Sequence, residues 1–172
     1  ATDILPQAVV LAKHNAQKNG VSLDVKQGDL FGPFLGEKFD VIIANVPQEN
    51  LSPKVQDSLS KEDVIGMHGG VNGNKVLLDV LKQAPNYMHA KSRLYVVVYS
   101  MSNFRISLQE ITKNYDAKLI NFYTGPVKDF VYSDLKWYEE RSGSGEISIY
   151  KNGTEYWADL FVFELRFKQI KF

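Results

Sequence analysis

The chemistry this sequence could perform is concentrated at three polar positions, each next to an apolar run: Asp3, Asp29 and Asn45. Asn45 closes the run Phe39-Asp-Val-Ile-Ile-Ala44 and opens the tip Asn45-Val46-Pro47-Gln48. An amide directly after a buried strand must be satisfied, and its carbonyl oxygen can accept from an incoming amine. Val46 precedes a proline, which pushes it towards extended geometry and turns its carbonyl outward as a second acceptor. Two acceptors on one planar amine would hold its lone pair towards an electrophile, which is catalysis by positioning and electrostatics.

The two aspartates suit a different task. A carboxylate following a parallel strand takes two vicinal ribose hydroxyls well, and Asp3 fits that role; it also fits that of a helix cap. Asp29 could accept from the exocyclic amine of an adenine, or open the turn Gly28-Asp-Leu-Phe-Gly-Pro33.

The elements that must position these residues alternate. Residues 5–21 read as a helix, with Pro6 in its first turn and Gly20 as its cap. A short strand follows on Leu23 and Val25. The run 39–45 shows too little alternation for a water-exposed face and reads as a strand buried on both sides. Residues 51–73, broken by Pro53 and four glycines, read as a long loop holding at most one helical turn. Val76, Leu77, Val80, Leu81 and Ala84 share a helical face before Pro85, and Arg93–Ser100 follows as another buried strand. A helix over 107–115 and a strand over 117–123 come next. Residues 146–167 read as a hairpin turning at Asn152-Gly153. Strand and helix in alternation, then a hairpin, predict an α/β fold with a mostly parallel sheet and a C-terminal antiparallel hairpin. In such sheets ligands bind outside the carboxyl ends of the strands, where Asp3, Asp29 and Asn45 all fall.

Composition sets the outer bounds. At 172 residues, 44% apolar and 23% charged, the chain has the make-up of one folded domain. Twenty basic residues balance twenty acidic ones, which argues against a strong phosphate-tracking field. The absence of cysteine excludes disulfides, thiolate metal sites and a cysteine nucleophile, and suits a cytoplasmic setting. No apolar run reaches the roughly 20 residues that span a bilayer, so no membrane partner is expected. His14, His68 and His89 lack metal-ligand spacing, so no metal site is expected; His68, beside Gly69-Gly70, is the one worth following. Ser142–Gly145 lacks the strand-turn-helix context of a phosphate loop. Tyr132, Trp137 and Tyr138 could stack a base or cover a sheet edge.

The segments TDILPQAVVLAKHNAQKNGV, GDLFGPFLGEKFDVIIANVPQ and GGVNGNKVLLDVLKQAPNYMHAKSRLYVVVYS together resemble the class I S-adenosylmethionine-dependent methyltransferases. Among these the chain is most similar to the amino-group enzymes with an Asn-Pro-Pro-Tyr motif, the release-factor glutamine and small-domain nucleic-acid methyltransferases. The resemblance covers roughly residues 1 to 100 and implies a Rossmann-like sheet, S-adenosylmethionine as cofactor, and a protein or nucleic-acid methyl acceptor. It places Asp3 and Ile4 at the cofactor ribose and Asp29 and Leu30 at the adenine. Asn45 would lie beside the cofactor and, with Val46 and Pro47, hold the target nitrogen. Gly69, Gly70 and Gly73 match a glycine-rich segment before a helix.

Two positions depart from the motif: Gln48 stands where the family has a stacking aromatic, and Val46 where it has a proline. The family also places a first strand, a glycine-rich loop and a helix upstream of the residue matching Asp3. The chain is therefore expected to be an N-terminally incomplete methyltransferase-like domain, its unpaired strand edges favouring self-association. Two alternatives remain: a methyltransferase-like scaffold without catalysis, and a nicotinamide-dependent dehydrogenase, which Asp3 would also serve.

Overall fold

A computed structural model describes residues 1–168. The chain divides into two compact units, Ala1–Lys38 and Phe39–Phe172.

In the first unit, β1 (Thr2–Asp3) pairs in parallel with β2 (Lys26–Gln27), with Thr2 opposite Lys26 and Asp3 opposite Gln27. The helix α1 (Pro6–Lys18) connects them. Proline suits its first turn because that N–H has no intrahelical acceptor. Gly20, at φ +65°, supplies the left-handed residue after its end. Val9, Val25 and Phe31 are buried. The strand expected on Leu23 and Val25 includes neither: β2 holds only Lys26 and Gln27. Pairing runs only as far as β1 offers partners, and Leu23 is left exposed.

The second unit holds β3 (Phe39–Ala44), β4 (Met88–Tyr99), β5 (Tyr115–Pro126), β6 (Tyr150–Asn152) and β7 (Glu155–Phe167). Their order is β3-β4-β7-β5, with β6 on β7. β3 and β4 are parallel, whereas β7 is antiparallel to both β4 and β5. Thus β3, β4 and β5 run one way and β7 against them, and the fold is an α/β sheet with an antiparallel C-terminal hairpin, as expected, although β3–β4 is its one parallel pairing among the described residues. The hairpin forms at Asn152-Gly153, with Gly153 at φ +63°. Its second strand does not sit at the margin: β7 inserts between β4 and β5, where both of its backbone edges are paired.

Helices α4 (Lys75–Gln83) and α5 (Phe104–Asn114) pack on each other, and α5 packs on β4 and β5. Leu77, Val80 and Leu81 of α4 and Ile111 of α5 are buried, as are Leu94, Val96 and Val98 of β4. Tyr95, Val97 and Tyr99 between them are half-buried. The same alternation corrects the expectation for β3. Ile42 and Ala44 are buried, but Val41 is 43% and Ile43 78% exposed. An apolar strand can bury two faces only if something covers both, and within this unit one face of β3 stays open.

Residues 51–73 also differ from expectation, forming two helices, α2 (Pro53–Ser58) and α3 (Lys61–Met67). Ser52 and Ser60 cap them, their hydroxyls accepting from the N–H of Val55 and Asp63. Ser60 also donates to Asp63 Oδ2 at 2.7 Å, so the Ser-x-x-Asp signal for a helix start was present in the sequence. Two further helices, α6 (Phe130–Ser133) and α7 (Leu135–Gly143), lie between β5 and β6. A core of Leu51, Val55, Met101, Val131, Tyr138 and Ile147 joins these helices to α2.

Tyr138 is fully buried in that core, and its hydroxyl oxygen accepts from the Ser52 N–H at 3.3 Å. Tyr138→Phe is expected to lose about 1–3 kcal/mol, because the Ser52 N–H stays buried without its acceptor. Urea titration should show a lower midpoint at an unchanged slope; an unchanged midpoint would mean that water replaces the hydroxyl.

Candidate functional site

In the first unit, the paired ends of β1 and β2 bring Asp3, Ile4, Asp29 and Leu30 to one rim. The Gly28 N–H donates to the Asp3 carbonyl at 3.0 Å, and the Thr2 hydroxyl donates to the Leu30 carbonyl at 2.9 Å. A Cβ on Gly28 would lie 2.2 Å from Pro33 Cγ, so this close approach requires glycine. Asp3 takes the bland role considered for it as well, with Oδ1 accepting from the Leu5 N–H at 2.9 Å at the entrance to α1. A carboxylate can accept about four hydrogen bonds, so capacity remains for a ligand. Asp29 and Ile4 are exposed. Leu30 sits at φ +45°, the one non-glycine residue in left-handed conformation among the described residues. Such strain persists only where surrounding contacts hold it, and it recurs at ligand clamps.

In the second unit, Asn45 follows the last residue of β3 and is exposed, and its amide makes no hydrogen bond among the described residues. Val46 and Pro47 are half-buried. The tip then dives inward: Gln48, Glu49, Asn50 and Ser52 are all buried. Gln48 does not stand in for a stacking aromatic. Its Nε2 donates to the Val97 carbonyl at 2.8 Å and its Oε1 accepts from the Tyr99 N–H at 3.2 Å, which fastens the tip to the end of β4.

Glu49, Asn50 and His68 form a layer that sequence reasoning did not assign. The Glu49 N–H donates to the Met67 carbonyl at 2.9 Å, and the Gly69 N–H donates to the Glu49 carbonyl at 3.0 Å, a one-residue parallel bridge of Glu49 with His68. Glu49 Oε1 pairs with Lys128 Nζ at 2.6 Å. Asn50, with its amide oriented to match its neighbours, donates to the Val71 carbonyl at 3.0 Å and accepts from Arg141 Nη2 at 3.1 Å. Gly69 and Gly73 permit this packing, since a Cβ on either would come within 2.9 Å of the Gln48 backbone. The glycine-rich segment therefore serves as the floor of the tip. Burial pushes the Glu49 carboxyl above its usual range despite Lys128, and burial with the Glu49 charge raises the Tyr99 hydroxyl as well.

The remaining candidates are occupied. Tyr132 accepts from the Tyr156 N–H, Trp137 lies under the Arg141 guanidinium, and Tyr138 is core, so Tyr138 cannot stack a base. His89 bonds Asp40 at 2.8 Å. Among the described residues no three imidazole or carboxylate groups converge as metal donors, and no helix is long and apolar enough to cross a membrane.

No family model matches the chain. In sequence it is 29% identical over 109 residues to a Methanocaldococcus jannaschii protein assigned by name as an N5-glutamine methyltransferase, covering 63% of this chain and 54% of that one. It is 30% identical over 97 residues to the release factor glutamine methyltransferase of Geobacter sulfurreducens, covering 53% and 33%. It is 40% identical over 85 residues to the ribosomal protein L11 methyltransferase of Caldicellulosiruptor bescii, covering 48% and 27%. The chain thus spans at most about half the length of these relatives. In structure it resembles a Thermoplasma acidophilum protein (TM-score 0.55, 15% identity, 99% of this chain and 66% of that one). It also resembles the YcgJ protein of Bacillus subtilis (TM-score 0.54, 12% identity, 98% and 82%). The similarity read from the motifs is thus matched by relatives in sequence: the chain is similar to the release factor glutamine methyltransferases.

Proposed function

We propose that this chain carries the acceptor-binding part, and some of the cofactor-binding part, of an S-adenosylmethionine-dependent N-methyltransferase whose acceptor is the carboxamide of a protein glutamine. The observation that carries the reading is the Asn45 amide, exposed and without a hydrogen-bond partner among the described residues at the carboxyl end of β3, followed by the Val46 carbonyl. The names of the sequence relatives support a protein rather than a nucleobase as acceptor.

The cofactor would supply an electrophilic methyl group on a sulfonium. Asp3 has spare carboxylate capacity for ribose hydroxyls, and the rim of Asp29, Ile4 and the strained Leu30 suits adenine. Asn45 Oδ1 and the Val46 carbonyl accept the two N–H bonds of the acceptor, and Pro47 fixes the direction of that carbonyl. With the cofactor bound, its sulfonium would supply the methyl carbon for an N–C bond formed at the expense of its S–C bond, and the acceptor nitrogen, held by Asn45 and Val46, would give up one proton to water.

The test is transfer of labelled methyl from S-adenosylmethionine by the whole protein to a glutamine-bearing release-factor domain, against single-stranded DNA and RNA. Label on glutamine nitrogen is the expected result. Label on a nucleobase would move the acceptor class, and intact cofactor binding without transfer to any acceptor would favour a scaffold.

A further inference from the structure

Among the described residues, β5 has a strand neighbour on one side only. It lies at the end of the order β3-β4-β7-β5, so β7 pairs with one of its backbone edges and the other stays open. An open edge is a template for a further strand, and chains that remain apart blunt it with short length, proline or charge. β5 runs for twelve residues, its proline is the last of them, and its two charges, Asp116 and Lys118, lie near one end. Leu119, Ile120, Phe122 and Tyr123 are 44–60% exposed. Leu119 and Phe122 lie opposite Phe163 and Phe161 on one face of the sheet, and Lys118 and Tyr123 lie opposite Glu164 and Leu160 on the other. Exposed apolar groups on both faces are out of reach of a single helix laid over the sheet. A strand added at the edge reaches both.

We propose that β5 is the contact through which two copies of this chain pair, antiparallel about a two-fold axis, so that their sheets continue into one. The register follows from a bulge. The pairing with β7 slips between Leu119 and Asn121, leaving Ile120 as an extra residue. Laid end to end against itself, with Tyr115 opposite Pro126, a regular strand of this length sets odd positions against even ones, and so one face against the other. Beyond Ile120 the bulge exchanges the two parities, and the end-to-end register matches like faces along the whole strand. Leu119 then meets Phe122 of the second copy, Lys118 meets Tyr123, and the two extra residues lie together at the axis. A foreign strand would need its own extra residue at the same place; a second copy carries it.

The same register is complementary in charge. Each Lys118 ammonium lies against a tyrosine ring, a cation–π contact made twice, and Asp116 faces Gly125, so no charge meets its like. The Phe122 N–H, which donates to the Asn121 carboxamide oxygen at 2.9 Å in the single chain, is offered the Leu119 carbonyl of the second copy. The four half-exposed apolar side chains amount to roughly 400 Å² per copy, which together with their counterparts fall in the size class of weak, reversible pairs. β3, at the other end of the order, offers only six residues. The inference stands apart from the methyltransferase reading.

The test uses introduced cysteines, since the chain has none of its own. In Lys118→Cys/Tyr123→Cys the two thiols of one chain are on the order of 16 Å apart along the strand, too far to bridge, whereas each lies directly opposite the other position in the second copy. Mild oxidation should give a covalent dimer, and Asp116→Cys/Asn121→Cys, four residues out of register, should give about a tenth as much or less. Sedimentation equilibrium of the unaltered protein should show monomer and dimer in exchange. Tyr123→Lys sets a like charge against Lys118 at two places and should weaken the dimer about tenfold, and Lys118→Glu/Tyr123→Lys should restore it. Unchanged urea midpoints in both variants show that folding is not the cause. A protein still monomeric at about 0.5 mM overturns the proposal. So does a dimer that cross-links no better in register than out of it, or a charge pair that restores nothing.

Discussion

Asn45→Ala is expected to lower methyl transfer by the whole protein on the order of a hundredfold, equivalent to about 2.7 kcal/mol of transition-state stabilisation. Cofactor affinity should stay within about twofold. The amide is exposed and makes no hydrogen bond among the described residues, so removing it costs the fold little. On the proposed reading, what disappears is an acceptor for the target N–H, and with it half of the geometry that would aim the lone pair. The measurement is single-turnover transfer at saturating acceptor, beside calorimetric titration with S-adenosylmethionine. A parallel loss of cofactor affinity would place Asn45 at the cofactor rather than at the acceptor. Unchanged turnover would remove it from the mechanism.

Leu94→Ala should cost about 2–5 kcal/mol of stability, the range for emptying a fully buried leucine site. Leu94 is inaccessible to solvent at the centre of the sheet, opposite Ile42 of β3 and Leu165 of β7, both themselves buried. For a domain with about 5–15 kcal/mol in hand, such a loss leaves a marginal fold. Ile43→Ala provides the contrast. Ile43 is one residue further along β3 from Ile42 but on the opposite face, 78% exposed, so its truncation should stay within about 0.5 kcal/mol of neutral. Chemical denaturation of both variants separates the cases. An Ile43 effect as large as that of Leu94 would mean that something covers the open face of β3 in solution.

The sequence by itself determined the order of strands and helices, the hairpin at Asn152-Gly153 and the placing of Asp3, Asp29 and Asn45 at strand ends. Those features are local: periodicity, proline in a first turn, glycine where φ is positive and a polar residue closing an apolar run can all be read within a few neighbours. The capped helices α2 and α3 were equally local, in Ser52-Pro53 and Ser60-x-x-Asp63, but the surrounding polarity and glycines obscured them.

Only the tertiary structure decided which residues are buried, because burial depends on what another part of the chain supplies. Val41 and Ile43 read as core and are exposed, since within their unit nothing covers that face. Gln48 reads as a weak substitute for an aromatic, and is instead bonded to the backbone of a strand some fifty residues away in sequence. β7, apolar enough for any position in the sheet, was taken inside it by the two unpaired edges of β4 and β5. Glu49 and His68, nineteen positions apart and unremarkable alone, face each other because the backbone bonds of one short bridge fix their register. Pairings at such separation depend on how the intervening α2 and α3 return the chain to residue 68, and no local pattern in the sequence encodes them.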